Sequence, residues 1–364
     1  MRIAFYAPLK SPHHPVPSGD RQMAHLLVAA LRQAGHSVEI ASELRSFSTT
    51  PGKAMRDPIS AAAHKEIERL RALWRAGKTP DLWFCYHPYY KAPDLIGPSL
   101  AAEFGIPYVT AEASYSKRRD ESGWAELQGL VVDAIRQAVL NICFTQRDET
   151  GLKECVAGAQ LARLPPFIDV SAFQAEPTRD DGHRLVTVAM MRPGDKLESY
   201  RLLADALAML EDLPWTLTVI GDGPMHSEVH ALFAGFARDR IAWLGEKPTE
   251  EIVEILYQGG VYVWPGVGEA YGIAYLEAQA AGLPVVAQAI AGVPEVTIDG
   301  VTGILTPIGD MRAFADAIAK ICGDNEQRIR LGRAARRFVL EERSLEIASK
   351  RLDLLLREHT GQGA

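Results

Sequence analysis

Two glutamates, Glu269 and Glu277, lie eight positions apart where an apolar stretch passes through glycines into helical sequence. Gly266 and Gly268 would let the backbone approach a ligand closely, because glycine adopts conformations that other residues avoid. A new helix beginning near Tyr271 would offer free N–H groups and a positive dipole end, which suit a phosphate. The spacing therefore predicts an anion-binding turn with two carboxylates beside it.

Glu277 lies inside this predicted helix, on one stripe with Ile273, Ala280 and Ala281. The rest of the stripe is apolar, and a carboxylate among apolar side chains costs free energy unless it is hydrogen-bonded. Vicinal ribose hydroxyls would be suitable donors. A glutamate at the edge of the stripe, paired with a lysine or arginine, is the alternative interpretation.

Short apolar strands alternate with amphipathic helical stretches along the chain. This order predicts an α/β fold, with parallel sheets and helices on both faces. A charged, turn-rich segment at 176–183 interrupts the alternation, which then restarts, so we predict two doubly wound domains. Ligands in such sheets bind beyond the carboxyl ends of the strands. The predicted bounds are 1–170 for the first domain, 171–183 for a linker, 184–342 for the second domain and 343–364 for a C-terminal helix.

Composition narrows the classes of function. The formal net charge of −7 over 364 residues argues against a general nucleic-acid binder. Residues 1–170 hold 20 Lys and Arg against 18 Asp and Glu, so this half is the better candidate to meet an anionic partner. No apolar run reaches the ~18 residues of a membrane span, and no signal peptide is expected. Four scattered cysteines favour reduced thiols and a cytoplasmic location.

The strings GEAYGIAYLEAQAAGLPVV and AGVPEVTIDGVTGIL closely resemble the nucleotide-sugar signature of retaining glycosyltransferases of the family 4 type. The resemblance implies a GT-B fold, in which two Rossmann-like domains face each other across a cleft and a C-terminal helix crosses back to the first. The matching motifs are Glu-x7-Glu at Glu269 and Glu277, Gly-x-Pro-Val at 282–285, Gly-x-x-Glu at 292–295 and Asp-Gly-x-Thr-Gly at 299–303.

This resemblance implies roles for the residues of the turn. Glu277 would bind the ribose hydroxyls of a sugar-nucleotide donor, and Glu269 would hold hydroxyls of the transferred sugar. Contacts to the diphosphate and sugar would come from the donor-binding positions Gly268, Tyr271, Gly272 and Ile273.

The family usually carries Gly-Arg after the first strand of the second domain, with a lysine about five residues later. Lys196 matches that lysine. Met191 stands where simple register expects the arginine, and Arg192 follows it, so we expect Arg192 to supply the guanidinium through a different loop. Both cations would neutralise the leaving diphosphate. Ordinary surface charges are the alternative for each.

In the N-terminal half, the family commonly has a glycine pair that touches the donor phosphates. Gly19 matches one member and Ser18 replaces the other, although the adjoining Asp20 is also a good helix N-cap. Glu112 stands at a strand end where relatives often place a histidine, and His87 ends another strand. Both are candidates for contacts to the acceptor or the sugar, and a structural role is the alternative for each.

The resemblance implies a hexosyltransferase that uses a UDP-sugar or GDP-sugar and an acceptor hydroxyl, with retention of configuration and with neither a metal nor a cofactor. A sugar-nucleotide epimerase or hydrolase, and a non-catalytic nucleotide-sugar-binding partner, are the alternatives. The acceptor is a glycan, a lipid or a small molecule. The basic run at 117–119 and the basic stretch at 53–78 leave peripheral attachment to a membrane open, against solvated surface.

Overall fold

The computed structural model describes residues 1–177 and 182–361. The chain divides into two compact units, each built on a six-stranded parallel sheet. Unit 1 comprises Met1–Pro165 together with the segment from Leu345 onward, and unit 2 comprises Pro166–Ser344.

Unit 1 has the strand order β2-β1-β3-β4-β5-β6. All residues of β3, β4 and β5 are buried, as expected for parallel strands that are covered on both faces. The order reverses between β1 and β3, so a crevice is expected beyond their carboxyl ends. The elements are β1 (Arg2–Tyr6), α1 (Gly19–Gln33), β2 (Ser37–Ile40), α2 (Lys53–Leu73), β3 (Leu82–Tyr86), α3 (Gly97–Phe104), β4 (Tyr108–Ala111), α4 (Ala125–Gln137), β5 (Leu140–Cys143), α5 (Gln146–Cys155) and β6 (Leu161–Arg163).

Unit 2 has the strand order β12-β11-β10-β7-β8-β9, and the order reverses between β7 and β10. The loops that follow these two strands therefore adjoin one crevice. The elements are β7 (Arg184–Val188), α6 (Asp195–Ala208), β8 (Thr216–Ile220), α7 (His226–Leu232), β9 (Ile241–Trp243), α8 (Thr249–Tyr257), β10 (Val261–Val263), α9 (Ile273–Ala280), β11 (Val285–Gln288), β12 (Gly303–Thr306), α10 (Met311–Gly323) and α11 (Asn325–Glu342).

The last helix, α12 (Leu345–Thr360), packs against α1 in unit 1. Ser349 Oγ donates to the Ala30 carbonyl at 2.8 Å, and His36 Nε2 lies 3.1 Å from a carboxylate oxygen of Asp353. The predicted fold class is therefore confirmed for both Rossmann-like units and for the helix that returns to the first.

The division between the units falls after Pro165, a few residues before the predicted boundary at 170. Residues 166–177 pack in unit 2, because Ile168 forms a β-bridge with Ser344 and the Phe173 carbonyl accepts from Arg336 at 3.0 Å. The predicted linker at 171–183 includes residues 178–181, which lie outside the described residues, as do 362–364 of the predicted C-terminal helix.

Candidate functional site

The connection between β10 and α9 in unit 2 is a glycine-dependent turn. Gly266, Gly268 and Gly272 have positive φ values of 82°, 66° and 75°. A Cβ on Gly268 would lie 2.1 Å from a carboxylate oxygen of Asp195, so a side chain there would have to displace Asp195 and would also be strained by the positive φ. The glycines thus allow the chain to turn sharply at the carboxyl end of β10 and to pack against the start of α6.

Glu269 lies in this turn and contacts Lys196, which is in the first turn of α6. Its Oε1 also accepts a hydrogen bond from the Trp264 indole at 3.0 Å. The Glu269 side chain is 13% exposed and that of Lys196 is 26% exposed. The structure therefore brings together two of the predicted site residues from distant parts of the sequence, with Trp264 as a third partner that the sequence analysis missed.

A buried serine joins the two loops behind this ion pair. Ser199 Oγ accepts from the Val267 N–H at 3.0 Å and donates to the Asp195 carbonyl at 2.9 Å. Ser199 is fully buried within α6. The β7–α6 and β10–α9 loops are thus cross-linked, which holds Lys196 close to Glu269.

Met191, where the family register expects an arginine, has a buried side chain. Its backbone N–H donates to Asp222 O at 2.9 Å and its carbonyl accepts from Met225 N at 3.0 Å. A Cβ on Gly223 would lie 2.3 Å from the same carbonyl, so the turn at Gly223 packs closely against the loop that contains Met191. Arg192 follows at a partly exposed position and is the cation that this loop offers beside Lys196.

The helix α9 begins at Ile273, so the prediction of a helix start at Tyr271 was wrong by two residues. Gly272, in the left-handed conformation, occupies the N-cap, and no side chain within the described ranges caps the helix. Tyr271 and Ile273 have buried side chains, so only their backbone groups are suited to meet a ligand. Free N–H groups at such a helix start favour anions.

Glu277 is partly buried on α9, between the buried residues Leu276 and Ala278. Burial raises the pKa of the Tyr262 hydroxyl, and the carboxylates of Glu269 and Glu277 raise it further. Both glutamates therefore act electrostatically on one tyrosine at the carboxyl end of the sheet, which places the two predicted carboxylates in one region of unit 2.

Unit 1 presents a second group of polar residues at the carboxyl ends of its strands. Ser18, rather than Asp20, is the N-cap of α1, since Ser18 Oγ accepts from the Arg21 N–H at 3.2 Å and from Lys10 Nζ at 3.0 Å. Gly19 is the first residue of α1, and a Cβ there would meet no heavy atom within 4 Å. Space is therefore open beside Gly19.

His87 and Glu112 directly follow β3 and β4, and both have left-handed backbones, with φ values of 58° and 57°. Their N–H groups donate to the carbonyls of Ala111 and Ile142, each at 2.8 Å, which continues the ladder of the sheet. Non-glycine residues held in this region carry strain of order 1–3 kcal/mol, and such residues cluster at functional sites. The structure thus places both predicted acceptor-side residues at adjacent strand ends.

The electrostatics of His87 and Glu112 are coupled. Burial lowers the pKa of His87, but Glu112 and Asp20 outweigh it and raise the value to about 9. Asp20 Oδ1 lies 3.3 Å from His87 Nδ1. Burial raises the pKa of Glu112 to about 7, with the charge of Asp148 adding and that of His87 opposing. The sequence analysis missed Asp20 as the partner of His87 and missed Asp148 altogether.

The described ranges, 1–177 and 182–361, lack two further features. No group of three or more His, Cys, Asp or Glu side chains within them is placed to hold a metal ion. No helix within them is both long enough and apolar enough to cross a membrane.

The chain has two Rossmann-like units with charged groups beside the switch points of both sheets, and unit 2 adds a glycine-dependent turn. This is the architecture of the GT-B fold class. Residues 182–324 match the family model described as glycosyl transferases group 1. A D-inositol 3-phosphate glycosyltransferase of Pseudarthrobacter chlorophenolicus is 25% identical, over 92% of this chain and 90% of its own. These findings show that the chain is similar to group 1 glycosyltransferases, which confirms the resemblance drawn from the motifs.

Solved structures show the same fold. Sucrose-phosphate synthase from Thermosynechococcus elongatus is 19% identical with a TM-score of 0.76, over 100% of both chains. HepE of Anabaena, solved in complex with UDP, is 17% identical with a TM-score of 0.72, over 98% of this chain and 100% of its own.

Proposed function

We propose that this glycosyltransferase moves a hexosyl group from a UDP-sugar or GDP-sugar to an acceptor hydroxyl, with retention of configuration and without a metal or a cofactor. The observation that carries the proposal is the contact of Lys196 with Glu269 at the glycine turn. This contact places a cation, which can bind a phosphate, beside a carboxylate, which can accept hydrogen bonds from sugar hydroxyls. The complexes of HepE with UDP and with UDP-glucose support the choice of donor class.

In the proposed reaction the departing diphosphate gains negative charge as the glycosidic bond breaks. Lys196, Arg192 and the uncapped start of α9 stabilise that charge, as fixed cations and dipoles do in other active sites. Glu269 accepts hydrogen bonds from the transferred sugar, and Glu277 accepts them from the ribose. The backbone at Gly268 and Gly272 leaves room for the sugar and the phosphates.

On the acceptor side, His87 and Glu112 contact hydroxyl groups of the acceptor, and Gly19 lies beside the donor phosphates. The name of the relative from Pseudarthrobacter makes D-inositol 3-phosphate one acceptor to test. We also propose a cytoplasmic location, because Cys85 and Cys143 are buried thiols without a disulfide, which is typical of reducing compartments.

The donor part of the proposal is tested by thermal shift with UDP, GDP, ADP and their sugars. A ligand at 100 times its dissociation constant should stabilise the protein by about 2.7 kcal/mol. We expect Lys196→Ala to lose most of this effect. Lys247→Ala is the matched control, because Lys247 forms an ion pair with Glu251 elsewhere in unit 2. If no nucleotide stabilises the wild type, or if both variants respond alike, the proposed donor site is wrong.

Transfer itself is followed with the nucleotide that binds best. NMR of the anomeric proton in the product reports retention or inversion, and activity in EDTA reports independence of metal. Release of free sugar without transfer to any acceptor would favour a hydrolase, and interconversion of the donor sugar would favour an epimerase. Binding without any turnover would favour a non-catalytic partner.

A further inference from the structure

A pair of cations is held over one aromatic ring in unit 1. The Arg119 guanidinium lies 4.6 Å from the centroid of the Tyr90 ring, and Lys91 Nζ lies 5.9 Å from the same centroid. Lys91 Nζ is also 5.8 Å from the ring of Trp124, which packs edge-on against Tyr90 at 5.2 Å. Trp124 is only 8% exposed, so this platform is anchored in the body of the unit.

Neither cation has an acidic partner among the residues that the structure describes. Several other basic residues of unit 1 do form ion pairs, since Arg56 pairs with Glu126 and Arg71 pairs with Glu103. Those ion pairs also weaken the case for α2 as a basic membrane-binding surface.

The carboxylate that follows Arg119 in sequence is occupied elsewhere. Asp120 accepts hydrogen bonds from the Tyr115 hydroxyl and from Gln128. Arg119 Nε is buried and has no hydrogen-bond partner within the described part of the chain. Nε is shielded from solvent, so an external acceptor would be bound by the terminal nitrogens of the Arg119 guanidinium.

The platform continues to the candidate acceptor site. The His87 ring lies 5.3 Å from that of Tyr89, which in turn lies 5.3 Å from that of Tyr90. The four residues from His87 to Tyr90 leave β3 together, so the cations and the His87–Glu112 group flank one short segment. A ligand that meets both must therefore extend along this segment.

We propose that Arg119 and Lys91 bind a phosphate monoester carried by the acceptor, whose hydroxyl groups lie towards His87. Two cations match the charge of −1.5 to −2 on such a group better than the single charge of a carboxylate. Arginine also presents a fork of donors that fits phosphate oxygens. The identity of the ligand as the acceptor rests on the proposed function, whereas the phosphate site itself does not.

The first experiment titrates inorganic phosphate into the protein by calorimetry, with saturating UDP present to occupy the donor site. Arg119→Gln and Lys91→Gln remove one cation each. Arg118→Gln is the matched control, because it removes the same charge from an exposed neighbour in the same turn. Arg119→Lys retains the charge but not the fork. The thermal shift with UDP is measured for every variant first, and shows that each is folded.

We expect phosphate to bind the wild type and Arg118→Gln equally. Loss of a charge-assisted contact should weaken binding about 10-fold or more in Arg119→Gln and Lys91→Gln, with partial recovery in Arg119→Lys. Equal affinity in Arg118→Gln and Arg119→Gln would overturn the proposal, as would acetate binding as tightly as phosphate. If the thermal shift with UDP is the same in all variants, the donor site does not depend on Arg119 or Lys91. The proposed donor site then stands whether or not phosphate binds as expected.

A second arm separates a soluble phosphate from a lipid headgroup. Sedimentation with phosphatidylcholine vesicles, with and without phosphatidic acid, is compared for the same variants. Retention on the acidic vesicles that depends on Arg119 but not on Arg118 assigns the phosphate to a lipid acceptor. Absence of vesicle binding, with phosphate binding intact, assigns it to a soluble acceptor. Vesicle binding that falls equally in both variants, without binding of free phosphate, would refute a built site.

Discussion

Replacement of Glu112 by glutamine should remove much of the pH dependence of the stability of unit 1. The pKa of Glu112 is raised from 4.5 to about 7, and burial is the largest cause. Between these two pH values the folded state holds a proton that the unfolded state has released. The free energy of unfolding of the wild type therefore falls as the pH rises from 4.5 through 7. The difference between the two pKa values corresponds to a loss of about 3 kcal/mol in the free energy of unfolding once the carboxyl is fully ionised.

The same substitution should act on His87. Burial lowers the pKa of His87, and the charge of Glu112 is the largest of the effects that raise it to about 9. This raised value stabilises the folded state below pH 6.5, and the stabilisation is lost as the pH rises through 9. Glutamine carries no charge, so the pKa of His87 should fall towards its ordinary value while Asp20 still supports the charged form.

Two measurements check this reasoning. NMR titration of the His87 ring gives its pKa in the wild type and in Glu112→Gln. Urea unfolding at several pH values between 4.5 and 8 gives the difference in free energy of unfolding. We expect the variant to gain up to about 3 kcal/mol relative to the wild type across this range, reduced by the stabilisation that His87 loses as its pKa falls. Glu121→Gln, at an exposed carboxylate of the same unit, is the control and should show no such gain. Parallel curves for all three proteins, with an unchanged pKa of His87, would refute the coupling.

Three further substitutions test the glycines and the aromatic residue of the candidate sites. Gly19→Ala should leave the melting temperature unchanged, because its Cβ meets no atom, but should lower the rate of transfer if donor phosphates lie there. In Gly292→Ala the Cβ would lie 1.5 Å from the Ala270 carbonyl, so we expect urea unfolding to show a loss of about 3 kcal/mol or more. Trp264→Phe removes the indole donor to Glu269, and steady-state kinetics should show about a 10-fold loss in kcat/KM for the donor. A wild-type rate of transfer in Gly19→Ala, a wild-type free energy of unfolding in Gly292→Ala or a wild-type kcat/KM in Trp264→Phe would contradict the corresponding prediction.

In unit 2, the features that could be predicted from the sequence are those whose residues lie close together along the chain. The glycines and the helix after β10 lie within one short string, so the turn at Glu269 could be predicted from it. The indole of Trp264 and the hydroxyl of Ser199 could not be assigned roles, because their contacts depend on how two loops pack. The start of α9 shifted because Gly272 takes a left-handed conformation, which a glycine allows but does not require.

In unit 1 the alternation of strands and helices was enough to place His87 and Glu112 at strand ends. Their partners were not predictable, since Asp20 reaches His87 from the first turn of α1 and resembled an ordinary helix cap. The structure assigns the cap to Ser18 and thereby leaves the Asp20 carboxylate to the histidine. Which side chains become neighbours at the strand ends depends on the order of strands in the sheet. Local hydrophobic patterns do not predict that order.

The candidate anion-binding cations of the two units differ in whether they are already paired with a carboxylate, and this affects how an anion would bind to each. In unit 2 the ammonium of Lys196 is already paired with Glu269, so a diphosphate must compete with a carboxylate for it. The competition costs least when Glu269 gains new hydrogen bonds at the same time, as it would from the hydroxyls of a sugar. A sugar-nucleotide therefore suits this pair better than a nucleotide alone. Arg119 and Lys91 in unit 1 have no acidic partner within the described part of the chain, so an anion can bind there without displacing an ion pair of that part.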